Sequence, residues 1–235
     1  MRGYPQKLSI IIPVFNESDR IKAGLNEISK WHKLQPQWEF ILVNDGSTDD
    51  TAKQIKKYKF IKLISYPVNQ GKGYALKQGV LVATQPLILL SDIDWSTPLT
   101  ELPKFWQKIT SADLVIGSRK MAGAQVKKHQ PWWREWLGKQ FTNLSSFWLN
   151  LTVSDFTCGF KLFNGHVAKK LFGLSKISRW SYDAEILWLA KKSNLKVVEV
   201  PILWENDERT KVSVVKDILS SLIDLWKIKL YKYEI

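Results

Sequence analysis

Pro86-Leu-Ile-Leu-Leu-Ser-Asp92-Ile-Asp94-Trp-Ser-Thr-Pro98 is the stretch from which the rest of the chain can be read. Its apolar run, Leu87–Leu90, carries no charge and is too short for a helix of its own. It predicts a strand buried on both faces, as at the centre of a parallel sheet. Two carboxylates follow, Asp92 and Asp94, with one residue between them. Residues i and i+2 of an extended chain point the same way, so both can face one point. Hard divalent cations take oxygen ligands, and Mg²⁺ is commonly held by one or two carboxylates plus substrate phosphates. A polar turn closed by Pro98 accounts for the same residues without a metal. The neighbouring segments decide between the two readings.

Upstream, Leu8 to Val14 reads as a buried strand, followed by the turn Phe15-Asn-Glu-Ser18. Ser18 is placed to cap a helix whose apolar face uses Ile21, Leu25, Ile28 and Trp31. Phe40 to Val43 is a second strand, ending in Asn44-Asp45-Gly46-Ser47-Thr48-Asp49. Thr48 is the expected cap of a helix from Asp49 to Tyr58. A third strand, Phe60 to Ile64, leads to Asn69-Gln-Gly-Lys-Gly73, which opens a helix from Tyr74 to Ala83. Beyond the Asp92 strand come a helix near Glu101 to Lys108 and a strand from Asp113 to Ile116. Alternating strands and helices predict an α/β fold with a mostly parallel sheet covered on both faces. Ligands of such sheets bind outside the carboxyl ends of the strands, where Asp45, Gly71 to Gly73, Asp92 and Asp94 fall.

The second half reads differently. Gly117 to Gln130 is basic and aperiodic and predicts a mobile loop. Pro131 to Leu151 predicts an amphipathic helix with Trp133, Trp136, Leu137, Phe141, Leu144, Phe147, Trp148 and Leu151 on one side. Arg134, Lys139, Asn143 and Ser146 fall on the other. A strand from Cys158 to Phe163, short helices at Val167 to Phe172 and Tyr182 to Lys192, a strand from Leu195 to Leu203 and a long helix from Lys211 to Tyr233 complete the chain. No repeat or low-complexity linker interrupts it. One domain over residues 1–235 is expected, with a donor half of about 7–117 and an acceptor half of about 118–235.

Composition narrows the partners. The 235 residues carry a formal charge of +13, which calls for an anionic partner: nucleotide, nucleic acid or an anionic membrane surface. Nucleic acid is disfavoured because the basic residues are not interleaved on one helix or sheet face and no recognition motif is present. The single cysteine, Cys158, forbids an internal disulfide and suits a reducing compartment. It reads as a small buried residue, not a nucleophile. The first residues have no signal-peptide pattern, and no apolar run nears the roughly 18 residues of a span. Twelve tryptophans are many for this length; tryptophan favours cores, sugar-binding surfaces and the membrane–water interface.

At these residues the chain resembles the inverting glycosyltransferases of family 2, which have the GT-A fold. The matching segments are Ile12-Pro-Val-Phe-Asn-Glu17, Val43-Asn-Asp-Gly-Ser-Thr-Asp49, Asn69-Gln-Gly-Lys-Gly73, Ser91-Asp-Ile-Asp94 and Gly117-Ser-Arg119. Asp155-Phe-Thr-Cys-Gly-Phe-Lys-Leu-Phe163 and Arg179-Trp-Ser-Tyr-Asp-Ala-Glu185 resemble more narrowly the branch of dolichyl-phosphate β-glucosyltransferases and bacterial polyprenyl-phosphate transferases. The resemblance implies a nucleotide-sugar donor, UDP-glucose in this branch, and a polyprenyl phosphate acceptor. A GDP-mannose donor, or a soluble or glycan acceptor, is the alternative.

The resemblance also implies roles. Asp94 would hold Mg²⁺ or Mn²⁺, with Asp92 touching the ribose or the metal through water. Asp45, beside Gly46, would accept from the base, Pro13, Phe15 and Glu17 would wall the nucleoside, and Lys72 would add charge near the base or phosphates. Arg119, Arg209 and Lys211 are the cations for donor or acceptor phosphate; Thr210 departs from the small residue usual before that lysine. Asp155 is either a general base or an orienting residue, since a lipid phosphate is already anionic and needs no base. Such enzymes carry a membrane anchor or spans at one end, so the likeness is to the catalytic part. The expected location is cytoplasmic, peripheral on the cytoplasmic face of a membrane, with the Pro131 to Leu151 helix as the contact.

Overall fold

The computed structural model describes residues 3–129, 131–207 and 214–235, with only the backbone described for residues 134 and 214–219. Seven strands form one sheet: β1 (Ser9–Val14), β2 (Glu39–Asp45), β3 (Ile61–Tyr66), β4 (Leu87–Leu90), β5 (Leu114–Ser118), β7 (Lys161–Asn164) and β8 (Val197–Pro201). Their order is β3-β2-β1-β4-β7-β5-β8, and every neighbouring pair is parallel except the two that involve β7. Helices α1 (Ile21–Leu34), α2 (Thr51–Ile55), α3 (Lys72–Val82), α4 (Leu102–Ile109), α5 (Trp132–Leu149), α6 (Gly165–Leu174), α7 (Tyr182–Lys192) and α8 (Val214–Leu230) accompany it.

Strand periodicity explains the layering. Ile10 and Ile12 of β1 join a core with Leu25 and Ile28 of α1 and Phe105 of α4. Ile11, one residue out of phase, joins a second core with Leu76 of α3, Leu171 of α6 and Leu189 of α7. Alternate residues point to opposite faces, so a strand clad on both sides must be apolar throughout. Both strand faces at the sheet centre are thereby excluded from water, each such side chain contributing about 1.5–3 kcal/mol.

Several local expectations are corrected. The basic stretch after β5 contains a strand, β6 (Gln125–Lys128), which pairs in parallel with β9 (Leu203–Glu205). Its partner lies over 70 positions away in sequence, so no local pattern announces it. Ser18 caps no helix; its N–H donates to Asp49 Oδ2, joining the turns after β1 and β2. Asp49, not Thr48, receives the N–H of Thr51 at the start of the short α2.

The inward stripe of α5 is Thr142, Ser145 and Leu149, while Trp132, Trp133, Trp136, Leu144 and Phe147 face outward. Phe141 and Trp148 pack beside this stripe against the core, so only part of the bulky apolar set is left on the surface. The indole of Trp148 donates to the Leu225 carbonyl of α8 and lies 4.3 Å from the Trp226 ring. Among the described residues no helix is long and apolar enough to cross a membrane.

Candidate active site

The crevice arises from the strand order. β1, β2 and β3 wind outward in one direction, and β4 takes the other side of β1, with Ile11 opposite Leu90. At this switch the turns after β1 and β4 part and leave room for a ligand. β7 runs against its neighbours, with Lys161 opposite both Leu90 and Ile116. Its amino end therefore lies where the parallel strands end, which delivers the segment 155–160 to the same crevice.

Asp92 and Asp94 follow β4 directly. The Lys72 ammonium, at the start of α3, donates to Asp92 Oδ1 at 2.6 Å. Asp92 Oδ2 faces Gly159, where an added Cβ would stand 2.3 Å away, so that position tolerates no side chain. Burial alone would raise the Asp92 carboxyl; Lys72 overrides it and holds it below the usual range. Asp94 Oδ1 accepts the Ser96 N–H at 3.0 Å, and its Oδ2 lies 3.8 Å from Arg20 Nη1. Burial and the neighbouring Asp92 push Asp94 upward. Trp95 closes the turn in the left-handed region, φ 53°, unusual for a bulky residue. Its N–H donates to the Asp92 carbonyl and its indole N–H to the Gly24 carbonyl.

Arg20 is a site residue that the sequence reading missed. Its guanidinium grips both oxygens of the buried Glu17 and reaches Asp207 Oδ2 at 3.2 Å. It thus links the turn after β1, the Asp94 turn and the segment after β9. Pro13 is the last but one residue of β1, and Phe15, just beyond the strand, is part-exposed. Gly46 turns the chain after β2, its N–H donating to the Asn44 carbonyl.

Asp45 is buried at the end of β2. Its carboxylate accepts the N–H groups of Gln70 and Gly71 and the amide of Asn69, at 2.8–2.9 Å. On the other side the Ser178 carbonyl accepts the Tyr74 N–H and packs against Gly71, whose φ of 106° and crowded surroundings require glycine. The segment 176–178 is itself pinned by Glu185, which accepts from the N–H groups of Lys176 and Ile177 and from the Tyr233 hydroxyl. The loop that carries Lys72 is therefore clamped from both sides.

Asp155 is fully buried and takes Arg119 in a two-pronged grip, Nε to Oδ2 at 2.7 Å and Nη2 to Oδ1 at 2.8 Å. The Arg119 N–H adds a third bond to Oδ2. Burial opposes the charge, but Arg119 prevails and holds the Asp155 carboxyl far below the usual range. Trp204 lies against the guanidinium, 5.2 Å from ring centre to Arg119 Cζ. Burial pushes the Cys158 thiol up to about 11, which leaves it inert.

Two further buried groups were absent from the sequence expectations. The Lys161 ammonium, 1% exposed, donates to Asp183 Oδ1 and to the Cys158 carbonyl. Burial raises Asp183, and both Lys161 and Lys72 pull it back. A lone lysine inside Cys-Gly-Phe-Lys-Leu-Phe is the signal that was available for Lys161. Arg209 and Lys211 lie outside the described residues.

Mg²⁺ or Mn²⁺ would find two hard oxygen ligands here, Asp92 and Asp94, which are set at the crevice by a turn closed by the Trp95 N–H on the Asp92 carbonyl, not by the extended chain expected from their spacing. Among the described residues no group of three or more His, Cys, Asp or Glu forms a cage. The donor set fits a hard ion whose remaining ligands come from phosphate and water.

A largely parallel sheet with its switch-point crevice lined by paired carboxylates and a clamped lysine loop defines the GT-A class of glycosyltransferase. The chain belongs to glycosyl transferase family 2, whose profile matches residues 9–172. A dolichyl-phosphate beta-glucosyltransferase of Trichomonas vaginalis is 34% identical over 242 residues, covering 95% of this chain and 71% of that protein. The Saccharomyces cerevisiae dolichyl-phosphate beta-glucosyltransferase is 30% identical over 93% of this chain and 72% of its own length. Among solved structures, the glucosyl-3-phosphoglycerate synthase from Mycobacterium tuberculosis in complex with UDP superposes with a TM-score of 0.71 at 16% identity, covering 96% of this chain and 81% of that one. The same enzyme has been crystallised with Mn²⁺, UDP and phosphoglyceric acid, with a TM-score of 0.69 at 16% identity over 93% of this chain and 78% of that one.

Proposed function

We propose that this enzyme transfers glucose from UDP-glucose to a polyprenyl phosphate of the dolichyl type, with inversion at the anomeric carbon. The observation that carries the reading is the 34% identity over 95% of the chain to a protein of that named activity. The site chemistry agrees with it. The acceptor is already an anion, so the attacking oxygen needs no proton removed, and Asp155, held strongly ionised by Arg119, is a poor base. Asp155 instead orients Arg119, whose guanidinium is suited to a phosphate. The whole chain reads as one domain, because strands from both sides of residue 118 share the sheet.

The donor diphosphate would lie between Lys72 and the Asp92/Asp94 turn, with Pro13, Phe15, Glu17, Asp45 and Gly46 around the nucleoside. Mg²⁺ or Mn²⁺ held by Asp94, with Asp92, supplies Lewis-acid stabilisation of the leaving nucleotide when bound. By motif position Arg209 and Lys211 add charge to the phosphates. The deciding experiment is a donor screen that measures release of UDP or GDP with and without polyprenyl phosphate. Release of UDP from UDP-glucose only with the lipid phosphate supports the reading; release of GDP from GDP-mannose, or transfer to a soluble acceptor, replaces it.

The acceptor reading also calls for a membrane surface, since each CH₂ withdrawn from the bilayer costs about 0.8 kcal/mol. The outward aromatics of α5, with Trp132 79% and Phe147 84% exposed, are joined by exposed Trp226 and Leu230 on α8, whose Trp226 ring meets Trp148 of α5. Exposed Lys139 on α5 and Lys229 on α8 supply charge for anionic headgroups. Sedimentation with anionic and neutral liposomes, for wild type and for Trp132→Ser/Trp133→Ser, is the check. Binding that the double variant leaves untouched removes this surface from the reading.

A further inference from the structure

We propose that Lys72 is a built-in competitor for Asp92, so that a divalent cation gains Asp92 only when a nucleoside diphosphate draws the ammonium away. Metal and nucleotide then bind as a strongly cooperative pair. This rests on the donor reading given above, and adds to it an order of events in the crevice.

Three observations carry it. First, one oxygen of Asp92 is already held by the protein: Oδ1 accepts from Lys72 at 2.6 Å, while Oδ2 stands beside the bare backbone of Gly159. A dication approaching this carboxylate meets a resident monocation at hydrogen-bond distance. Second, the other carboxylate is also attended, since Asp94 Oδ2 faces Arg20, which is shared with Glu17 and Asp207. The two acids thus have counter-ions from two different helices, α1's leading turn and α3. Third, among the described residues no cluster of three potential ligands exists, so there the two carboxylates take the ion in competition with a preformed ion pair. A hard cation with six positions to fill gains far more there when a diphosphate supplies oxygens.

Lys72 is built to move. It sits at the first position of α3, where a positive charge opposes the helix dipole, so it is an anion that keeps it there. The backbone on either side of it is clamped by Asp45 and Ser178, while its four-carbon stem ends at the part-exposed Asp92. The Trp180 ring, 5.7 Å from the ammonium, offers a second resting place close to the first. The diphosphate provides a doubly anionic alternative to Asp92. In this exchange Lys72 passes from carboxylate to phosphate and no covalent bond changes.

The test measures free Mn²⁺ by electron paramagnetic resonance during titration of the whole chain, with and without UDP, for wild type, Lys72→Met and Lys72→Arg. In wild type, UDP tightens Mn²⁺ binding by about tenfold or more, and by linkage Mn²⁺ tightens UDP equally. Lys72→Met binds Mn²⁺ alone about tenfold more tightly than wild type, and its UDP effect shrinks to what direct ligation by the diphosphate supplies. Lys72→Arg, whose fork holds a carboxylate harder, binds Mn²⁺ alone more weakly and depends on UDP more. Melting curves guard against misfolding: Mn²⁺ alone stabilises Lys72→Met more than wild type. Equal Mn²⁺ affinity in wild type with and without bound UDP overturns the proposal, as does Mn²⁺-alone affinity unchanged across the three proteins. If UDP does not bind at all, the donor reading fails, and the three Mn²⁺-alone affinities still judge the competition.

Discussion

Two acid–base pairs lie along the same edge of the sheet and are built in opposite ways. Arg119 and Asp155 form a two-pronged pair whose carboxylate is wholly shielded, 0% exposed, with a backbone N–H locking the same oxygen. Lys72 and Asp92 share one hydrogen bond, and the Asp92 side chain is 37% exposed. The first pair is fixed because separating it would strand a buried charge. The second is exchangeable, because water and ligand reach it and a lysine stem adapts where a guanidinium fork does not. One chain thereby supplies both a rigid cation and a transferable one within a single crevice.

Breaking the rigid pair has the largest expected effect. Asp155→Ala leaves the part-buried Arg119 without its partner, and a loss of up to about 3–5 kcal/mol of stability is expected in denaturant melts. The wild-type pair also sets an acid limit. Asp155 titrates far below its unfolded value of about 3.9, so its contribution is complete above that pH and fades only as the pH falls below it. A variant Asp155→Asn with unchanged stability between pH 5 and pH 7, relative to wild type, would show that the pair holds nothing together.

Breaking the open side acts on turnover instead. Asp94→Ala is expected to lower kcat/KM by about 10²- to 10³-fold, equivalent to roughly 3–4 kcal/mol of transition-state stabilisation. Its melting temperature should stay close to that of wild type, because Asp94 lies in the turn after β4, outside both apolar cores. Near wild-type turnover, or indifference to EDTA, would remove the metal assignment.

The clamp around Lys72 sharpens the contrast further. Asp45→Ala strips three hydrogen bonds from residues 69–71 and should cost about 1–3 kcal/mol, read as weaker nucleotide binding in calorimetry along with a lower melting temperature. An unchanged nucleotide Kd would dismiss Asp45 from the site. The smallest effect is expected for Tyr233→Phe, which removes one hydrogen bond to Glu185 while both backbone bonds to that carboxylate remain. About 1 kcal/mol, or a fall of about 2–4 °C in Tm, should follow with kcat unaltered.

The amino-acid sequence determined the local parts of this protein. Uncharged runs of four to seven residues could only be strands clad on both faces, and Asp92-Ile-Asp94 could be placed at the end of one of them. The α/β class, the donor motifs and the family followed from that order. Tertiary structure alone decided the rest. Nothing local distinguishes β7 from its parallel neighbours, yet its reversal is what carries Gly159 and Lys161 to Asp92. Lys72 and Asp92 stand 20 residues apart, and Arg119 and Asp155 36, so their partnerships depend on which strands become neighbours. On α5 the amphipathic pattern was legible but its direction was not: the buried stripe is Thr142, Ser145 and Leu149, with Phe141 and Trp148 packed beside it, and Trp132, Trp133, Trp136 and Phe147 face out. Periodicity says which residues share a face, while only packing against a specific neighbour says which face turns inward.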